Sequence, residues 1–355
     1  MSSIRRRGTA AVALALTAAL ALSACGGGDG DGDGGGDGAG ERKADGGKSV
    51  AQGGKDFGDA RKKTAAFGTD AKAGGFPRTL THAMGTTELK AAPRRVVVLD
   101  VGELDNVVSL GMQPVGYAPA EGSQALPEYL KKRGAGSPKS VGTINSLNLE
   151  AIDALKPDLI LGSQLRAEKQ YKLLSRIAPT VFSVRPGFTW KENFRLNAAA
   201  LDKTAEADAQ LASYEKKARK LGEDVAAAHD GKKPTVTMLR YLPGKIRLYA
   251  KASFIGTILD DAGVPRPRNQ QADDLAVEVS PEKIDEAAAD WIFTGVYGDA
   301  KATKRDKAEA NPLWNRLDAV KSGRAKDVPD ETWYLGLGAA AADEVLGDLR
   351  GFLVK

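Results

Sequence analysis

Arginines and aromatic side chains carry most of the chemistry this sequence offers. Arg166, Arg185 and Arg240 fall at or just after short apolar runs, as do Tyr117, Gln164, Tyr241, Tyr249, Tyr297 and Trp333. Asp100 and Tyr334 are placed likewise, Trp190 opens a long helical stretch, and Arg247 sits in a hairpin whose facing is open. Arginine offers a fixed fork of N–H donors to anionic oxygens, and aromatic faces pack broad apolar surface. Together they suit a ligand with an apolar body and oxygens of negative or partial negative charge.

Catalytic chemistry finds less support. There is no G-x-S-x-G, Cys25 is the single cysteine, and neither His82 nor His229 falls at the end of an apolar run, so a nucleophile with its base is missing. No catalytic residue, resident metal or cofactor is expected; a surface hydrolase working through an Asp/Glu pair stays open as a lesser alternative. No G-x-x-x-x-G-K-[ST] or G-x-G-x-x-G follows a strand pattern, which removes a nucleotide site.

The elements that must position these residues are α/β. Apolar runs at 96–100, 158–162 and 180–184 read as buried parallel strands, with shorter ones at 114–117 and 141–143. Helical spacing lies between them, as in Leu104, Val107, Val108 and Leu110. Alternating strands and helices predict a parallel sheet with right-handed crossovers. Residues 189–231 then run without proline. Thr189 and Glu192 have capping-box spacing, and Leu211, Tyr214, Ala218, Leu221 and Val225 share one face. One helix of that length spans roughly 50–60 Å. Beyond Gly231 the α/β pattern restarts, with strands at 234–239, 246–249, 291–294 and 325–328 and a helix opened by Ser280 and Pro281. The stretch therefore reads as a rod between two lobes, and the strand-end residues line the cleft between them.

The amino end is of another kind. Residues 1–24 combine Arg5, Arg6 and Arg7 with an apolar run over 10–22 and read as an export signal. LSAC at 22–25 looks like a lipoprotein cleavage site, whose cysteine takes the lipid. Residues 25–75 are rich in Gly and Asp and read as a flexible tether. Three arginines and no acids leave with the signal, so the formal charge of +5 becomes +2, and nothing calls for nucleic acid. The expected division is thus signal 1–24, tether 25–75, N-lobe 76–190, spine helix 191–231 and C-lobe 232–355.

PRRVVVLD, LGMQPVGY, VGTINSLNLEAIDALKPDLIL, SFIGTILDDAG, EVSPEKIDEAAADWIF and NPLWNRLDAVKSGRAKDV, in this order from Pro93 to Val328, resemble the substrate-binding lipoproteins of iron-siderophore ABC importers. That family also contains vitamin B12 and haem binding proteins. The resemblance implies a class III architecture: two α/β lobes on one long helix, a shallow and largely preformed cleft, and no enzymatic activity. It implies an extracytoplasmic monomer held on the cell membrane through Cys25, with a ferric siderophore and an ABC permease as partners. It also gives Glu150 and Glu282 the role of presenting one carboxylate per lobe to permease arginines; the alternative is a plain helix N-terminus preference. With no histidine at a strand end, the iron is expected already wrapped in an organic chelator. One or two arginines among Tyr and Trp point towards a hydroxamate; a triply charged catecholate needs the denser basic cleft that Arg166, Arg185, Arg240 and Arg247 would supply together. A corrinoid or haem cargo is the alternative within the family.

Overall fold

The computed structural model describes residues 57–121, 126–303 and 305–354. The expected export signal, Cys25 and the first part of the tether lie outside the described residues. Residues 57–75, expected as tether, are structured. Helix α1 (Phe57–Ala65) is followed by a bridge from Gly68 to Thr81, and Arg61 pairs with Glu192 at 3.1 Å. The reason lies in a few contacts with the core: Ala60 and Thr64 are buried, giving this short segment a face to pack.

A hairpin of β1 (Arg78–His82) and β2 (Gly85–Leu89) opens the N-lobe. The main sheet holds β3 (Val96–Val98), β4 (Gly116–Tyr117), β5 (Lys139–Ser140), β8 (Leu159–Ser163) and β9 (Thr180–Ser183) in the order β5-β4-β3-β8-β9. Every pairing is parallel, with Val97 opposite Ile160. β3, β8 and β9 are buried throughout, which is why they read as unbroken apolar runs. The strand expected at 141–143 is instead a separate small hairpin, β6 (Gly142–Thr143) with β7 (Ser146–Leu147). Its helices include α2 (Val101–Ser109), α3 (Leu149–Ala154) and α4 (Tyr171–Ile177).

The C-lobe sheet holds β10 (Val236–Leu242), β11 (Lys245–Tyr249), β12 (Ala276–Val279), β13 (Trp291–Val296) and β14 (Ala325–Asp327) in the order β12-β11-β10-β13-β14. It is mixed: β10, β13 and β14 run parallel, while β11 and β12 are antiparallel additions. Both lobes belong to one compact unit.

The spine is two helices rather than one. α5 (Trp190–Leu201) and α6 (Thr204–Ala228) are separated by Asp202, whose φ of 59° is left-handed. Aspartate tolerates that region better than most residues, and its carboxylate is put to use there. It accepts from the Gly74 N–H at 2.9 Å and from Arg78 Nη2 at 2.5 Å. The residues just ahead of the N-lobe thus grip the break. The expected capping box at Thr189 is absent too: its hydroxyl donates to the Arg185 carbonyl at 2.7 Å.

Trp190 fixes the first turn of the spine to the C-lobe. Its fully buried indole donates from Nε1 to Thr257 Oγ1 at 2.9 Å and meets Tyr214 edge-on at 4.9 Å. Thr257 lies on α7 (Phe254–Asp261). Lys191 bonds Asp261 at 2.8 Å, and the Tyr214 hydroxyl donates to the same carboxylate at 2.9 Å. After α8 (Asp330–Trp333) the chain returns as α9 (Ala339–Leu353), which packs on both α6 and α2.

The start of α9 is capped by an N-lobe residue. Asp105, on α2 and fully buried, accepts the Ala340 and Ala341 N–H groups at 2.8 and 2.9 Å and the Tyr129 hydroxyl at 3.0 Å. Burial still pushes its carboxyl up to about 6 against those hydrogen bonds. Gly338 has to be glycine, because a Cβ there would lie 2.5 Å from the Asp105 carboxylate. Asp105→Ala strands three buried donors, and we expect urea unfolding to show a loss of about 3 kcal/mol; Asp105→Asn, which keeps one acceptor, should lose less.

His82 supplies a second prediction. Its ring is buried in β1, with Nδ1 accepting the Met84 N–H at 3.2 Å and Nε2 facing Thr87 Oγ1 at 2.9 Å. Burial lowers its pKa from 6.5 to about 4. Between those values the unfolded chain binds the proton and the folded one does not, so stability present above pH 6.5 is lost as pH falls towards 4. The loss approaches about 3 kcal/mol. Urea midpoints from pH 7 to 4.5 should fall more steeply in the wild type than in His82→Gln.

Candidate functional site

The two lobes meet at a cavity lined by Arg166, Arg185, Gly187 and Phe188 from the N-lobe side. From the C-lobe side come Arg240, Arg247, Tyr249, Phe254, Ile255, Leu275, Trp333, Tyr334, Leu335 and Leu337. Several of these arise where strands end: Arg185 follows β9, Arg240 and Tyr249 lie at the carboxyl ends of β10 and β11, and the helix carrying Trp333 follows β14. The enclosed volume is about 80 Å³, well below the roughly 300–1,000 Å³ of a small-molecule pocket. A molecule of ordinary ligand size placed here therefore engages the rim as well as the interior. The expected preformed cleft exists in its lining chemistry and not in its volume.

Each of three arginines is held by a carboxylate. Arg240 makes a two-point clamp with Asp330, Nε to Oδ1 at 2.6 Å and Nη2 to Oδ2 at 2.5 Å, and its Nη1 donates to the Tyr249 hydroxyl at 3.2 Å. Its guanidinium also lies 4.7 Å from the Tyr297 ring and 5.5 Å from that of Tyr334. Arg166 donates through Nε to Asp100 at 3.0 Å, and Arg247 through Nε to Glu278 at 3.1 Å. Arg185 lies 5.2 Å from the Phe188 ring. Burial raises the Asp330 carboxyl above its ordinary range, with Arg240 pulling the other way. Beneath Asp100, the buried Glu103 is pushed up to about 8 by desolvation and then by the Asp100 charge. Ionising it would add a third charge to the Asp100–Arg166 pair.

The structure brings together Arg166, Arg185, Arg240, Tyr249 and Trp333, and leaves other sequence candidates elsewhere. Trp190 is corrected from a ligand contact to a core residue, since its indole is enclosed by Tyr214, Phe254 and Thr257. Tyr241 is corrected likewise. It neighbours Arg240 on β10 and so points to the opposite face, where Arg305 lies 5.6 Å from its ring. Tyr117 is buried in β4 beside the Asp100 and Glu331 charges and does not line the cavity. Gln164 turns outward and donates to Glu168 at 3.0 Å. Tyr297 is outside the lining but stacks under Arg240. Trp333 lines the cavity while its Nε1 donates to Asp348 at 2.9 Å. Sequence reasoning missed the apolar wall of Phe188, Phe254 and Leu337 and the acids Asp330 and Glu278; strand-end position gives no sign of which carboxylate reaches which arginine.

Neither histidine reaches the cavity: His82 is in β1, and His229 Nε2 meets the Leu353 carbonyl at 2.8 Å. Among the described residues no cluster of His, Cys, Asp and Glu could hold a metal ion. Glu150 and Glu282 are both exposed, one per lobe, each in the first turn of a helical segment. Asn148 caps α3 by accepting the Ala151 N–H at 2.9 Å. Its own backbone N–H and the Ser280 hydroxyl hold the Glu282 carboxyl below its ordinary value.

Residues 96–332 match the periplasmic binding protein family, a span that includes both five-stranded sheets and the cavity lining up to Leu275. The chain belongs to that family. The family is one of substrate-binding receptors, not enzymes. Among curated relatives, the probable siderophore-binding lipoprotein YfiY of Bacillus subtilis is 36% identical over 290 residues, covering 78% of this chain and 88% of the relative. The Fe(3+)-citrate-binding protein YfmC of the same organism is 31% identical, covering 77% and 84%. Among solved structures, SirA of Staphylococcus aureus complexed with staphyloferrin B superposes with a TM-score of 0.71 at 34% identity, covering 78% of this chain and 98% of SirA. The architecture is the class III fold shared by these siderophore-binding relatives.

The Arg240–Asp330 clamp generates a prediction that needs no ligand. Arg240→Ala leaves the Asp330 carboxylate buried without its partner, which should cost about 3 kcal/mol of stability, read from urea unfolding. Arg247→Ala, which frees the half-exposed Glu278 carboxylate to turn to water, should cost less, whereas Arg166→Ala, which leaves the buried Asp100 without its partner, should cost about as much.

Proposed function

We propose that the protein is a lipid-anchored extracytoplasmic receptor that binds an anionic ferric siderophore in the inter-lobe cleft and delivers it to an ABC permease. The observation that supports it best is the convergence of Arg166, Arg185, Arg240 and Arg247, from both lobes, on one aromatic and aliphatic cavity. Buried arginine forks over apolar walls suit a chelate whose iron is wrapped in organic ligand and whose rim carries carboxylate oxygens. This density of guanidinium groups favours a carboxylate-type chelate over the hydroxamate that the sequence pointed towards. The names of relatives that bind Fe(3+)-citrate or staphyloferrin B agree with that reading. Arg166 and Arg247 keep both terminal nitrogens clear of protein hydrogen bonds among the described residues, so they are the forks best placed for ligand oxygens. Tyr249, Trp333 and Phe188 supply the walls.

Delivery rests on Glu150 and Glu282. Their exposure, their separation onto the two lobes and the lowered pKa of Glu282 suit charged contacts with a cationic permease surface. Such contacts steer association and weaken with salt. Anchoring rests on Cys25, within the segment outside the described residues.

Quenching of intrinsic tryptophan fluorescence tests the ligand. Ferric citrate-type complexes should quench saturably at submicromolar concentration, more tightly than a neutral ferric hydroxamate; absence of saturation by any ferric chelate would dismiss the receptor reading. Arg166→Ala and Arg247→Ala should each weaken binding by about 1–3 kcal/mol. The double variant Glu150→Ala/Glu282→Ala should bind as the wild type does and fail in permease-dependent uptake. Lost binding in that variant would contradict the docking role.

A further inference from the structure

A guanidinium has five N–H donors. Among the described residues, Arg166 and Arg247 each give one to a protein carboxylate and keep four. Arg240 differs. Three of its donors are taken, two by Asp330 and one by Tyr249, and its faces lie near the Tyr297 and Tyr334 rings. The Arg240 side chain is only 6% exposed and that of Asp330 15%. Asp330 thus holds the two-point position on Arg240 that a ligand carboxylate would take.

Its placement is built rather than incidental. Asp330 opens α8, the helix that also carries Trp333 into the cavity lining. Gly295 on β13 leaves room for it: a Cβ there would lie 3.0 Å from Asp330 Oδ1 and closer still to the Tyr334 ring. The Tyr334 hydroxyl in turn lies 3.0 and 2.9 Å from the carbonyls of Leu239 and Phe293, which share its one proton. The carboxylate, its arginine and both flanking rings are therefore held by the parallel strands β10 and β13.

We propose that Asp330 is a specificity-determining residue of the cleft: by occupying the Arg240 fork it withdraws one positive charge from the ligand and sets which net charge of ferric chelate is preferred. It acts through Arg240 and is a positioning residue, not a ligand contact. With Asp100 and Glu278 opposite Arg166 and Arg247, the cleft presents an excess of far fewer than four positive charges. A strongly anionic chelate therefore meets less attraction than the arginine count alone implies. This inference rests on the receptor reading above.

The test compares ligands of different charge. Wild-type protein and Asp330→Asn are titrated by tryptophan quenching with a trianionic ferric tris-catecholate, ferric citrate and a neutral ferric tris-hydroxamate, with thermal unfolding run alongside. Removing the carboxylate should shift the trianion-to-neutral affinity ratio by about tenfold or more towards the trianion. A merely structural role would weaken all three ligands together, and parallel changes overturn the proposal. Should Asp330→Asn fail to fold, the wild type still decides. With its arginines largely matched by acids, raising NaCl from about 0.05 to about 0.5 M should weaken trianion binding by less than about tenfold. A loss of tenfold or more overturns the proposal. If the wild type binds none of the three chelates, the receptor reading falls and this inference with it; binding with an unchanged ratio removes only the role of Asp330.

Discussion

A single buried carboxylate joins the two halves of this molecule at the point where they are hardest to join. The first N–H groups of helix α9 would be orphaned inside the protein without an acceptor. Asp105 provides that acceptor from the N-lobe, with Tyr129 donating to the same group. The loop just before α9 contributes Leu335 and Leu337 to the cavity, and Gly102 on α2 lies so near that a Cβ would meet the Leu337 carbonyl at 3.1 Å. One side of the cleft is thereby positioned by a hydrogen-bonding need at a helix terminus. On the other side the spine performs the equivalent task through packing, with Trp190, Tyr214 and the Lys191–Asp261 pair.

Between these two joints the arginines stand in a medium that would not tolerate them bare. Charge buried without compensation is costly, and the fold answers with one acid for each of Arg166, Arg240 and Arg247. The acids serve two ends: they make an arginine-lined cavity stable before any ligand arrives, and they orient each guanidinium through its Nε. Where Nε alone is engaged, the terminal nitrogens remain directed by the side chain's own planarity. Where the clamp is two-pointed, they do not.

The sequence showed the lobes clearly because β3, β8 and β9 are buried on both faces and so leave unbroken apolar runs. It hid β12, whose AVEV alternates and ends an antiparallel edge, and the β1–β2 hairpin, whose outward residues are polar. The break at Asp202 carries no Gly or Pro; it exists because distant residues, Gly74 and Arg78, supply its partners. Strand-end position located Arg166, Arg185, Arg240, Tyr249, Trp333 and Tyr334 in the cavity lining. For Arg240 and Tyr241 the period of two along a strand already implied that only one could face it. Trp190 could not be placed this way, because a helix's first turn can face core or cleft with the same residues.

The grip on Asp202 also concerns how mechanical load enters the molecule. The chain reaches the N-lobe through α1 and residues 66–77; Arg61 on α1 pairs with Glu192 in the first turn of the spine, while Gly74, and Arg78 at the start of β1, hold its break, about 18 Å along the axis from Trp190. Tension applied to the amino end is taken up there, by an ion pair and the packing of α1 on α5. It does not pass first through the strand ends that carry the arginines. Load arriving from the amino side would strain the molecule at its back while the geometry of its cleft stayed as it was.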